Sequence, residues 1–244
     1  MGFILTKIRE YDAHGGPSTI QKGSDGNDMT PTTAGRFVIQ SIAKHVSYGR
    51  YAFWSGVAWG TPMMTKDGVT LIKKGNAWTK LSSVNKIFGA YKDNESKLTM
   101  LLMFEYQTLY NIPRNLSPRF WVFNDFGHVS VKYFKDTNHD WKMDGKEHIL
   151  GDFIHTTPGD EASTSKKQNF NLVESHGCIH VKPTEIDTMI GNGYIAKGLT
   201  IEVHPYNDKT IAAILKRPIA RLPYETHFYP GLFKIVVYRV QKLN

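Results

Sequence analysis

Residues 174–181 read Glu-Ser-His-Gly-Cys-Ile-His-Val and contain Cys178, the one cysteine in 244 residues. It stands between His176 and His180 and directly follows Gly177. Chemistry alone leaves three readings open. Free cysteines are commonly small buried hydrophobes, and for an isolated one that reading is the stronger. Thiolates also ligate zinc, but Cys178, His176 and His180 lie too close along one extended stretch to close a tetrahedral site, and no partner cluster accompanies them. A cysteine with a base beside it is a nucleophile; at neutral pH the thiol is mostly protonated, so that base or a positive field is required. Residues two apart on a strand share a face with each other and need not reach the sulfur. His155 is the better base, because it ends the apolar run Gly-Asp-Phe-Ile-His at 151–155. Gly177 lets a substrate approach the backbone, and the successive N–H groups at Gly177 and Cys178 are candidate oxyanion donors.

The composition frames these readings. Hydrophobic residues make up 41% and charged residues 21%, which is the balance of an ordinary folded chain. One cysteine excludes an intramolecular disulfide and a four-thiolate zinc site. The net charge of +8 favours polyanionic partners: nucleic acid, an anionic membrane or an acidic wall polymer. The basic residues are scattered in pairs such as Lys73-Lys74 and Lys166-Lys167, with no zinc-finger spacing and no RNA-recognition signature, so no nucleic-acid partner is expected. Lys7 and Arg9 interrupt the apolar start, so neither a signal peptide nor a transmembrane span is expected in this sequence.

Along the chain, residues 3–11, 36–42, 120–123, 128–134, 151–157, 199–204 and the run Leu-Phe-Lys-Ile-Val-Val-Tyr-Arg-Val near the end read as strands. Residues 51–72 suggest short strands and turns. Residues 96–110 read as a helix, although Met-Leu-Leu-Met-Phe-Glu-Tyr suits a buried strand equally. A short helix begins at Pro183, with acids in its first turn and Gly191 and Gly193 to stop it. Residues 158–171 read as a solvated loop and residues 210–216 as a helical piece. The sum is a mainly β chain.

Ser-His-Gly-Cys-Ile-His at 175–180, preceded by Gly-Asp-Phe-Ile-His-Thr-Thr-Pro at 151–158, resembles the active-site signature of the L,D-transpeptidase catalytic domain, the YkuD-type family. Thr-Pro-Thr-Thr-Ala-Gly-Arg-Phe-Val-Ile at 30–39 resembles that family's Thr-Pro-x-Gly-x-Phe-x-Ile strand, with one extra residue before Gly35. Gly-Leu-Thr-Ile-Glu-Val at 198–203 resembles its closing strand. These four ordered elements span about residues 29–204. The chain departs from the pattern in three places. Twenty positions separate His155 from Ser175, which is long for the family. His180 stands where Arg or Asn is usual, and a basic tail follows Tyr206.

The resemblance implies a mainly β, YkuD-like sandwich or barrel with a few short helices. The catalytic domain would span 1–206, with an insertion at about 60–125, and residues 207–244 would be an extension packed on the same domain. It implies a cysteine acyl-transferase acting on peptidoglycan tetrapeptide stems. Cys178 would be the nucleophile and His155 the general base, with the Thr156 carbonyl orienting the His155 ring. Ser175, His176, Gly177 and His180 would shape the oxyanion and substrate contacts. No cofactor and no metal is implied. The place implied is the periplasm or cell envelope, either the cell's own or, for an exported antibacterial effector, that of a target cell. An effector would bring a delivery or immunity protein as partner. The rival reading is a non-catalytic wall- or partner-binding module on the same fold.

Residues 136–147, Asp-Thr-Asn-His-Asp-Trp-Lys-Met-Asp-Gly-Lys-Glu, carry oxygen ligands at the first, third, fifth, ninth and twelfth positions, as an EF-hand calcium loop does. Trp141 occupies the turn-glycine position, so a solvated hairpin loop is the expected reading. His14, His45, His128 and His227 show no ligand spacing and read as surface or packing residues. The aromatics Tyr48, Tyr51, Phe53, Trp54 and Trp59 read as core packing, with a groove lining as the alternative.

Overall fold

The computed structural model describes residues 2–46, 53–113 and 115–243. Its strands in chain order are β1 (Gly2–His14), β2 (Gln21–Lys22), β3 (Asp28–Met29), β4 (Gly35–Ala43), β5 (Met63–Lys66), β6 (Val69–Lys74), β7 (Ala77–Lys80), β8 (Ser130–Phe134), β9 (Ile154–His155), β10 (Ile179–Val181), β11 (Thr200–Val203), β12 (Ile214–Arg217), β13 (Tyr224–Tyr229) and β14 (Lys234–Leu243). The helices are α1 (Lys86–Gly89), α2 (Glu95–Tyr110), α3 (Pro158–Ser165) and α4 (Pro183–Gly191), with short 3-10 turns at Leu81–Ser83 and Pro230–Leu232. The chain is mainly β. No described helix is long and apolar enough to cross a membrane.

Two compact units divide the chain. The first holds residues 1–43, 130–155 and 171–244; the second holds 44–129 and 156–170. In the first unit one sheet runs in the order β10-β9-β8-β4-β11-β13-β14-β1-β12. The end of β1 also pairs with β10, Ala13 opposite Val181 and His14 opposite His180, which closes eight of the nine strands on themselves. Closure removes the open edges that an exposed sheet would present. The tail beyond residue 206 is integral to this ring, since β13 lies between β11 and β14.

Strand register sets what each face carries. Phe37, Ile201, Val203, Phe228, Ile235 and Val237 alternate onto one buried face. The opposite face would be solvated in a bare sheet, and here it is covered. Residues 205–223 lie over it, and Ile211, Leu215 and Ala220 pack with Leu5, Tyr229, Val236 and Tyr238 in a second cluster. With both faces buried, residues 235–238 of β14 form a continuous apolar run of the β-branched and aromatic types that strands favour.

In the second unit β5, β6 and β7 form an antiparallel sheet joined to α2 through the buried Thr70–Thr99 hydroxyl pair at 2.9 Å. Asn94 caps α2 by accepting from the Lys97 N–H, and Asn111 ends it in a left-handed conformation. That resolves 96–110 as helix. Phe53 and Trp54 pack against the core formed by Phe88, Trp121, Phe123 and their neighbours. Tyr48 and Tyr51 lie outside the described residues.

Three local expectations are corrected. Residues 158–165 form α3: the Thr157 side chain accepts from the Asp160 N–H, Pro158 occupies the first turn, and Asp160 and Glu161 complement the helix dipole. Residues 214–217 form β12, because pairing with Phe3–Thr6 of β1 outweighs the modest helix preference of Ala and Leu. Residues 120–123 make only an isolated bridge between Phe120 and Pro62.

Candidate active site

The site is built inside the first unit, where the end of β9 meets the start of β10. These two strands are parallel, with Ile154 beside Ile179 and His155 beside His180. Cys178 immediately precedes β10, two residues from the position in register with His155. Its sulfur lies against the approach to β9: the Phe153 N–H points to Sγ at 3.5 Å, and Sγ lies 3.8 Å from the Gly151 carbonyl oxygen. The residue is half-buried. Burial pushes its thiol up to about 12, with the Asp152 carboxylate adding to the rise and the Phe153 N–H opposing it. The resting group is therefore a thiol.

Ser175 fixes the turn that presents the sulfur. Its hydroxyl accepts from the Gly177 N–H at 3.0 Å and donates to the Cys178 carbonyl, while its own N–H donates to the Gly15 carbonyl. Gly177 adopts φ 132°, where a side chain would be strained, and a Cβ there would stand 3.0 Å from Thr30 Oγ1. Because Ser175 already takes the Gly177 N–H, that group is not a ready oxyanion donor.

His176 is tied outward. Its Nε2 lies 3.2 Å from Asp25 Oδ1 in the β2–β3 hairpin, and its carbonyl accepts from the Thr30 hydroxyl at 3.0 Å. Asp25 is held down to about 2, chiefly by the Asn27 side chain and N–H and further by His176. His180 is buried, with Nδ1 donating to the Val173 carbonyl at 3.0 Å and its ring edge-on to His155, centroids 4.9 Å apart. Its neighbours are thus protein groups. Thr156 is fully buried and belongs to the second unit, where its hydroxyl donates to the Glu161 carboxylate that also meets His128.

Several residues of the site escaped the sequence reading. Thr33 N–H donates to Asp152 at 2.8 Å, Gly16 N–H donates to Thr32 Oγ1 at 3.0 Å, and the Tyr206 hydroxyl donates to the Gly16 carbonyl at 2.6 Å. The threonine-rich run at 30–33 was the available signal, since the Thr30 and Thr32 hydroxyls bond backbone of two other segments, at His176 and Gly16.

No family model, curated protein or solved structure matches this chain.

The loop at 136–147 connects antiparallel β8 and β9. Its carboxylates accept from its own backbone: Asp136 from the His139 and Trp141 N–H groups, and Glu147 from those of Thr137 and Asp144. Trp141 takes φ 67°, the conformation a glycine would favour.

Burial holds His180 down to about 4, against an ordinary value of 6.5. The sign follows from which state binds the proton. The unfolded chain takes it below pH 6.5 and the folded chain does not, so this group's contribution is complete above pH 6.5 and is lost as pH falls toward 4. Between pH 7 and pH 5 that amounts to about 2 kcal/mol. Urea unfolding at the two pH values should show His180→Gln losing less stability on acidification than the unaltered protein. Equal losses would show that His180 is not the group responsible.

Proposed function

We propose that this protein is a cysteine acyl-transferase of the L,D-transpeptidase type, acting on peptidoglycan tetrapeptide stems. The observation that carries the reading is the parallel β9–β10 pair, which brings His155 alongside the strand that Cys178 opens. Ser175-His176-Gly177-Cys178 forms a turn locked by its own serine, so the sulfur is held on a rigid element.

In this mechanism Cys178 attacks the carbonyl of the L-centre in a stem. His155 takes the thiol proton as the bond forms and returns it to the departing amine of the terminal D-alanine. The thioester then passes its acyl group to a second stem's amine, to a free D-amino acid, or to water, giving cross-linking, exchange or L,D-carboxypeptidase action. His180 acts as a positioning residue through its edge contact with the His155 ring. The net charge of +8 suits a polyanionic wall, whether the protein is resident in the envelope or delivered to a target cell's periplasm as an antibacterial effector.

One observation favours the rival reading of a non-catalytic wall-binding module: the raised thiol leaves little nucleophile at rest. Incubation with purified muropeptides, with products read by mass, decides between them. Loss of D-alanine, exchanged stems or dimers support the enzyme; unchanged muropeptides that co-sediment with the protein support the module.

A further inference from the structure

On the covered face of the sheet, polar side chains line up by register. Glu202 of β11 is in register with Arg36 of β4 on one side and with His227 of β13 on the other. His204 lies two residues beyond Glu202, and Glu225 lies two before His227, so all share that face. His227 is fully buried, as a packing residue would be, while Glu202 and His204 keep a narrow exposure. The Glu202, His204 and His227 ligand atoms lie within 4.8 Å of one another.

The hydrogen bonds of the two imidazoles define an unusual problem. His204 Nδ1 lies 2.7 Å from Asp208 Oδ2, and His227 Nε2 lies 3.1 Å from Glu225 Oε1. An ionised carboxylate only accepts, so each of these outer nitrogens carries the hydrogen. In neutral rings the inner nitrogens are then bare lone pairs. Those two nitrogens, His204 Nε2 and His227 Nδ1, face each other at 2.9 Å. Two acceptors at that distance repel unless a cation lies between them. The surrounding charges ask for one as well: Glu202, Asp208 and Glu225 bring three carboxylates, against the guanidiniums of Arg36 and Arg217.

We infer that Glu202, His204 and His227 form a binding site for a divalent transition metal of the zinc class, with Asp208 and Glu225 as the outer carboxylates that orient the two imidazoles. Two imidazoles and one carboxylate are the donors zinc accepts readily. Tetrahedral zinc sets neighbouring ligand atoms about 3.3 Å apart. His204 Nε2 lies 2.9 Å from His227 Nδ1 and 3.9 Å from Glu202 Oε1, so shifts of about half an ångström bring these two pairs to that spacing. An imidazole whose other nitrogen donates to a carboxylate is the usual outer arrangement of a metal-binding histidine, and here both rings have it. Three protein ligands leave a fourth position, open on the exposed side of His204 and Glu202. The ion would tie the end of β11 to β13, two residues before Tyr206, whose hydroxyl holds Gly16 beside the cysteine turn. The site itself stands independently of the acyl-transfer reading.

The test uses the full chain, stripped with a chelator and titrated with Zn²⁺ by calorimetry and with Co²⁺ by visible absorption. One equivalent should bind, with the intense d–d bands of a four-coordinate cobalt site and a rise in melting temperature. His204→Gln should abolish that equivalent, and Asp208→Asn, a change at a more exposed position, should weaken it about tenfold to a hundredfold. Cys178→Ala and Asp136→Asn should retain it, which separates this site from the cysteine turn and the acidic loop. Failure of the stripped protein to take up either metal would mean that a shared proton bridges the histidines, and the inference would fall. Binding that survives in a folded His204→Gln, or disappears in Cys178→Ala, would overturn it equally.

Discussion

Cys178→Ala is expected to reduce muropeptide turnover by about ten-thousandfold or more while leaving the protein folded. A methyl group cannot form the thioester, and no second thiol exists in the chain to substitute for it. The structural cost is small for a half-buried residue whose sulfur makes only weak contacts, with the Phe153 N–H and the Gly151 carbonyl. A loss of about 1 kcal/mol would lower the melting temperature by about 2–4 °C in a chain of this size. Processing of stems at an unchanged rate by the folded variant would remove Cys178 from the mechanism. A variant that unfolds at room temperature would show instead that the cysteine turn is a structural keystone.

His155→Ala is expected to cost about a hundredfold or more in turnover at neutral pH. The magnitude follows from the thiol. With burial holding it up at about 12, only about one molecule in 10⁵ carries a thiolate at pH 7, so attack depends on a group that removes the proton as the bond forms. Without that base, the rate should follow the thiolate population and climb about tenfold per pH unit through the alkaline range. The unaltered protein should be much flatter over the same range. This profile separates a base from a residue that merely packs, because a packing defect lowers the rate at every pH alike. His180→Ala, lost from beside the His155 ring, should cost less than His155→Ala. The reverse order would mean that the wrong histidine has been assigned as base.

The candidate site was legible in unequal parts. Cys178 and the serine–histidine–glycine lead-in could be singled out because their residue types are chemically rare and adjacent, and His155 because it ends the apolar run at 151–155. The helix α4 was legible as well, since Pro183 and Glu185 act within a single turn. The cap of α3 was equally local, in Thr157, Pro158 and Asp160, but the polar composition of residues 158–171 obscured it. The hydrogen bond that removes the Gly177 N–H was not legible, because Ser175 can reach it only in the turn that the fold imposes. Nor was the tether from His176 to Asp25, which joins segments 151 residues apart.

The histidine pair on the covered face shows where the division lies. Glu202-x-His204 and Glu225-x-His227 each place a carboxylate and an imidazole on one face of a strand, and that much is fixed by the period of two. Which strands become neighbours is decided by the closed sheet. Parallel pairing of β11 with β13 puts Glu202 beside His227, and the cover supplied by residues 205–223 lies over this face, leaving His227 buried and Glu202 narrowly exposed. The sequence by itself determined the mainly β character, the ends of α4 and the residue types of the cysteine turn, since each rests on neighbours in the chain. Only the tertiary structure decided the register of β9 against β10, the raised thiol and the facing imidazoles. Register and burial arise from contacts between distant segments, and one residue of slip in any of these strands would turn the same side chains to the other face.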